Sequence, residues 1–81
     1  MTSSVFTKKY ETFRELLTQY RKDAGVTQQS LAEKLDKPQS FVSKFESGER
    51  RLDVIEFLDV AEVLQFDVYE FIKKLEEGAS K

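Results

Sequence analysis

Gln39, Ser40, Ser43, Lys44 and Ser47 follow one another at spacings of one, three, one and three. In a helix these intervals bring all five side chains to one side. Val42 and Phe45, three apart, mark the opposite, core-facing side, with Phe41 one turn before Phe45 on its flank. The polar strip carries no carboxylate. A merely solvated helix face usually mixes Glu with its Lys, whereas a surface that approaches phosphates and base edges does not tolerate acids. Gln pairs bidentately with adenine, Lys reaches the guanine acceptors, and Ser donates or accepts at either base or phosphate. Lys37 before the segment, and Arg50 and Arg51 after it, are placed to contact phosphates on either side without reading sequence. On spacing alone the strip also fits an ordinary solvated helix, Phe41 fits either a thymine methyl or the core flank, and loop cations often do nothing specific.

The composition narrows the chemistry further. The chain has 81 residues, 40% of them apolar and 35% charged, which suits one small domain with a thin margin of stability. Cysteine and histidine are absent, which removes disulfides, thiolate metal sites, thiol nucleophiles and imidazole bases. An enzyme would have to depend on a carboxylate pair or an activated serine, and neither a Gly-rich phosphate loop nor a nucleophile elbow is present. No cofactor and no metal are expected. No apolar run approaches the roughly 18 residues of a membrane span, nor is there a signal-peptide core, so a cytoplasmic location is expected. The net charge of −2 at first disfavours a polyanionic partner. That average hides two unlike halves: residues 1–51 hold ten basic against seven acidic side chains, +3, and residues 52–81 hold three against eight, −5. An anion-binding face therefore belongs to the first half.

Five helical segments account for the apolar spacing. Phe6, Tyr10, Phe13 and Leu17, with Leu16 and Tyr20 beside them, form a stripe on a helix from about Thr7 to Lys22, which Gly25 ends. Thr27 caps a short second helix with Leu31, Ala32 and Leu35 on one face, ending near Asp36. The third begins at Pro38 or Gln39 and runs to Ser47, with Gly48 closing it in the left-handed conformation. Asp53 and Glu56 have capping-box spacing and open a fourth helix with Val54, Phe57, Leu58, Ala61 and Leu64 inward. Asp67 and Glu70 repeat the device before a fifth, ending near Glu77, that turns Val68, Phe71, Ile72 and Leu75 to one side. Alternating strand patterns and repeats are absent, so an all-α domain over 7–77 is predicted, with tails at 1–6 and 78–81.

Residues 28–45 resemble the helix-turn-helix of the Cro and phage-repressor-like family, also called the xenobiotic-response-element (XRE) family of regulators. Gln28 stands at the family's opening position of the second helix, Ala32 at its small contact residue, and Val42 and Phe45 at the apolar anchors of the recognition helix. The run SKFESGERRLDVIEFLDVAEVL looks like its continuation through the fourth helix, and the resemblance spans about residues 20–68. Two departures stand out: Asp36 occupies the turn position that is usually glycine, and the first helix starts early, with Phe6 and Tyr10 having no family role to carry over.

The resemblance implies a five-helix lambda-repressor-like DNA-binding domain. Gln39, Ser40 and Lys44, with Ser43 beside them, are its base-reading candidates. Gln28 looks like the family's phosphate-contacting glutamine, although a plain first-turn role competes, and Lys37, Arg50 and Arg51 are further phosphate candidates. It also implies a structural ion pair between Arg21 and Glu46. A sequence-specific transcriptional regulator of double-stranded DNA, such as a repressor, is the main expectation, acting as a homodimer on two half-sites. The acidic second half would supply the partner surface through some of Phe57, Val68, Tyr69, Phe71, Ile72 and Leu75, unless these are simply core. The competing expectation is a protein-interaction module, such as the antitoxin of a toxin pair or an adaptor that keeps the fold.

Overall fold

The computed structural model describes residues 7–79 and consists there of five helices: α1 (Lys8–Asp23), α2 (Gln28–Lys34), α3 (Gln39–Ser47), α4 (Val54–Leu64) and α5 (Val68–Ala79). Short polar side chains start the helices. Thr7 Oγ1 accepts from the Tyr10 amide at 3.2 Å and Thr27 Oγ1 from the Ser30 amide at 3.0 Å. Asp53 and Glu56 close a complete capping box at 2.7 and 3.0 Å. Asp67 Oδ1 accepts from the Tyr69 and Glu70 amides at 2.8 and 3.3 Å, while the Glu70 carboxylate turns to Lys74, 4.0 Å away. Pro38 is the N-cap of α3 rather than its first residue, with ψ of 156°, and offers no side-chain cap.

The helix ends use left-handed backbone. Gly48 has φ of 91°, and Asp36 has φ of 60° in the turn between α2 and α3. An aspartate enters this region more readily than most side chains, which lets the turn form without glycine.

The helix-turn-helix pair packs through Leu31 and Ala32 of α2 against Val42 and Phe45 of α3, all four buried. Ala32 matters because a methyl group lets the two backbones approach. Behind this pair lies an aromatic cluster centred on Phe71, fully buried, whose ring centroid is 5.7 Å from Phe13, 5.3 Å from Tyr20, 5.1 Å from Phe57 and 5.2 Å from Phe66. Each such pair adds to simple area burial.

Three sequence expectations need correction. On α4 the buried stripe is Phe57, Val60, Ala61 and Leu64, so Val54 and Leu58 are exposed rather than inward. An i, i+3, i+4, i+7 stripe is about 100° wide, and the packed arc is rotated from the expected one by roughly half of the 100° step between successive residues. On α5 Ile72 is likewise exposed beside buried Phe71. Finally, α5 continues through Gly78 to Ala79, into the expected tail; Gly78 lies against α1, where an added Cβ would stand 3.2 Å from Thr12 Cγ2. Phe6 and the rest of 1–6, with 80 and 81, lie outside the described residues. Among the described residues, no helix is long and apolar enough to cross a membrane.

Candidate nucleic-acid interface

The side chains of α3 divide by angle around its axis. Val42 and Phe45 are buried, while Gln39, Ser40 and Lys44 are exposed and Ser43 is half-buried. The strip thus projects from the body of the protein on a helix held down by two apolar anchors. Ser47 is committed locally: the single proton of its hydroxyl is shared between the Lys44 carbonyl at 3.2 Å and Glu49 Oε2 at 3.3 Å.

A chain of polar contacts links this surface to the interior. Arg21, buried on α1, donates from Nε to Glu46 Oε2 at 2.7 Å and from Nη2 to Oε1 at 3.1 Å, while its Nη1 donates to the Val26 carbonyl at 2.8 Å. Glu46 Oε1 also accepts from Gln28 Nε2 at 2.9 Å, and Gln28 Oε1 accepts from Gln39 Nε2 at 3.1 Å. Ionised Glu46 can only accept, so Gln28 must present its amide nitrogen to it and its carbonyl oxygen to Gln39. Gln39 is then obliged to donate inward. One N–H and the carbonyl oxygen of Gln39 remain for an outside partner. Gln28 therefore sits behind Gln39 as its orienting neighbour, half-buried, with its amide already engaged at both ends.

The flanking cations are not equivalent. Lys37 Nζ and the Arg50 guanidinium both lie over the Phe41 ring, 5.5 and 4.8 Å from its centroid. Phe41 is half-buried and so acts as their platform on the edge of α3. Arg50 also reaches Glu56 through two bonds, Nη1 to Oε1 at 2.9 Å and Nη2 to Oε2 at 2.8 Å, and donates from Nη1 to the Arg51 carbonyl at 2.8 Å. The hydrogen bond from Arg50 holds the Glu56 carboxyl below the usual carboxylate range, and the same bond raises Arg50 above its ordinary value. Arg51 is turned onto α1, its guanidinium 4.5 Å from the Tyr10 ring centroid. The structure thus gathers Lys37 and Arg50 at α3, places Arg51 apart from them, and fills the fork of Arg50 with an internal acid.

Two contributors escaped the sequence reading. Arg14 Nη1 donates to the Glu46 carbonyl at 3.0 Å, a cation at the C-terminal end of α3, and its guanidinium covers Gly48 so closely that an added Cβ would lie 3.1 Å from Cζ. Its position one heptad before Arg21 on α1 was the available signal. Glu56 was legible as a cap but not as the partner of Arg50, because the loop between them gives no periodicity from which to infer the pairing.

These features can be set against known proteins. A family model described as Helix-turn-helix matches residues 17–71. Among solved structures, an XRE-family like protein from Pseudomonas syringae pv. tomato str. DC3000 is similar, at 49% identity over 85% of this chain and 84% of that chain, with a TM-score of 0.80. The search of curated proteins returned no match. The matched span runs from Leu17 at the core end of α1 through both helices of the motif to Phe71 at the centre of the aromatic cluster, so the chain belongs to the XRE-like helix-turn-helix family of DNA-binding regulators.

Proposed function

We propose that this protein is a sequence-specific transcriptional regulator, acting as a homodimer at an operator, that reads the major groove with α3. The observation that carries this reading is the amide of Gln39, held through Gln28 by Glu46, at 3.1 and 2.9 Å. The outward N–H and carbonyl match adenine N7 and the adenine amino group. Fixing the amide beforehand removes the ambiguity between its two flipped states, so Gln39 discriminates adenine rather than accepting any base. Ser40, Ser43 and Lys44 complete the reading strip, with Lys44 suited to guanine. Lys37 and Arg51 supply phosphate contacts; Gln28 serves the site chiefly by orienting Gln39.

A single motif offers few base contacts, and two copies reading half-sites about 34 Å apart would multiply the selectivity. Phe57 and Phe71 are buried in the core, which leaves Tyr69 and Ile72 of the earlier partner candidates exposed, joined on α4 by Val54, Ile55 and Leu58. These exposed apolar residues support a dimer surface on the acidic half. They equally support the second reading, a protein-interaction module whose partner covers the same residues. Catalysis plays no part in either reading.

Selection of bound sequences from a random duplex pool tests the proposal. The expected result is a two-fold symmetric consensus with adenine at one position in each half. Failure to enrich any sequence at low salt, together with a stoichiometric complex with another protein, would favour the second reading.

A further inference from the structure

The donor set around Glu56 is unusual for a helix cap. Its carboxylate accepts two parallel N–H bonds from the Arg50 guanidinium, at 2.9 and 2.8 Å, and a third from the Asp53 backbone amide at 3.0 Å. A guanidinium fork joined to a backbone N–H is also what a DNA phosphate oxygen seeks. Arg50 stacks on Phe41 of α3, with Lys37 on the same ring, so the fork is held at the edge of the reading helix beside a second cation. The pair is not locked in the interior: the side chains of Arg50 and Glu56 are 41% and 20% exposed, against 9% and 8% for Arg21 and Glu46. The Arg50 pair can therefore open without unfolding, whereas the Arg21 pair cannot.

We propose that Glu56 is a tethered stand-in for a DNA phosphate, filling the anion subsite formed by Arg50 and the Asp53 amide in the free protein and displaced when DNA binds. This inference rests on the DNA-binding reading above. Glu56 competes with every phosphate that Arg50 could reach, and thereby weakens backbone affinity common to all sequences. Contacts made by Gln39 and Lys44 then account for a larger share of the discrimination.

Glu56→Gln tests the idea, because glutamine can keep the cap on Asp53 while losing the charge that holds Arg50. Glu62→Gln, exposed on the same helix, is the matched control for a simple change in net charge. Relative to the wild type, E56Q is expected to bind random duplex about two- to five-fold tighter at low salt, in line with loss of an exposed charge pair. Its log–log salt slope should match that of the wild type, because Arg50 reaches the same phosphate in both proteins once Glu56 is displaced. E62Q should leave affinity nearly unchanged, and the E56Q gain should vanish in an Arg50→Ala background. An equal gain from E62Q, or a gain that survives R50A, overturns the proposal, as does a slope steeper by a whole contact, which would mean that Arg50 of the wild type never reaches the phosphate. A second measurement is independent of DNA: in nitrogen-15 NMR the Arg50 Nε–H of E56Q should shift saturably with inorganic phosphate, and that of E62Q should not. Absence of that shift sinks the subsite. If the shift occurs while no variant binds DNA, the subsite stands and the DNA reading fails instead.

Discussion

Arg21 Nε and Glu46 Oε2 lie 2.7 Å apart, both side chains more than nine-tenths buried, and together they tie α1 to the reading helix. Such a pair contributes less through attraction than through the penalty for leaving either charge alone. Arg21→Ala or Glu46→Ala should each destabilise the fold by about 3–5 kcal/mol. Urea unfolding of both variants and of the double variant provides the check: the double variant should lose less than the sum of the two. Additive losses would show that the residues act separately.

The DNA contacts should separate into two mutant classes. Gln39→Ala should cost about 1–3 kcal/mol on the selected operator and leave binding to random duplex nearly unchanged. Arg51→Ala should weaken both DNAs alike and flatten the salt dependence. Anisotropy titrations over a salt series distinguish these outcomes, and equal losses for Q39A on operator and random DNA would contradict a base-reading role.

Gly48 closes α3 with φ of 91° beneath the Arg14 guanidinium. Gly48→Ala should cost about 1–2 kcal/mol, the strain of placing a side chain in the left-handed region, with further displacement of Arg14. Thermal unfolding would register this as a fall of several degrees. Gly25, also left-handed at φ of 72° but with open space around it, should suffer the strain alone when changed to Ala.

Phe71 and Tyr69 sit two residues apart on α5, with opposite fates. Phe71→Ala should destabilise the domain by about 3–5 kcal/mol because four neighbouring rings lose their common partner. Tyr69→Ala should change stability by less than about 0.5 kcal/mol, yet weaken self-association in sedimentation equilibrium. Unaltered association would remove Tyr69 from the dimer surface.

Acid should act on Glu56. Its folded value is depressed, first by the hydrogen bond from Arg50, with the Asp53 amide and the charges of Arg50 and Lys37 adding to it. A depressed carboxyl contributes stability that is present above the unfolded value of about 4.3 and is lost as pH falls through the folded one. Urea unfolding from pH 7 down to 3 should therefore show a steeper acid loss for the wild type than for E56Q. Parallel curves would mean that the pair adds nothing to stability.

Local chemistry determined the order and type of the helices. Thr27, Gly48 and the Asp53–Glu56 box mark boundaries through bonds between residues at most a few positions apart, which is why they are legible in a linear chain. The acid-free strip of Gln39, Ser40, Ser43 and Lys44 is legible for the same reason, since helical period alone sets which residues share a face. Tertiary structure decided which part of each apolar stripe is covered, exposing Val54, Leu58 and Ile72 while enclosing Phe57 and Phe71. It also decided the partners of the polar groups. Arg50 and Arg51 are neighbours in sequence, yet one is held by Glu56 over Phe41 and the other by the ring of Tyr10. Adjacent cations acquire different roles because their orientations depend on how α1, α3 and α4 pack, and that packing joins residues far apart in sequence, as where the Leu52 amide meets the Tyr10 hydroxyl 42 positions away.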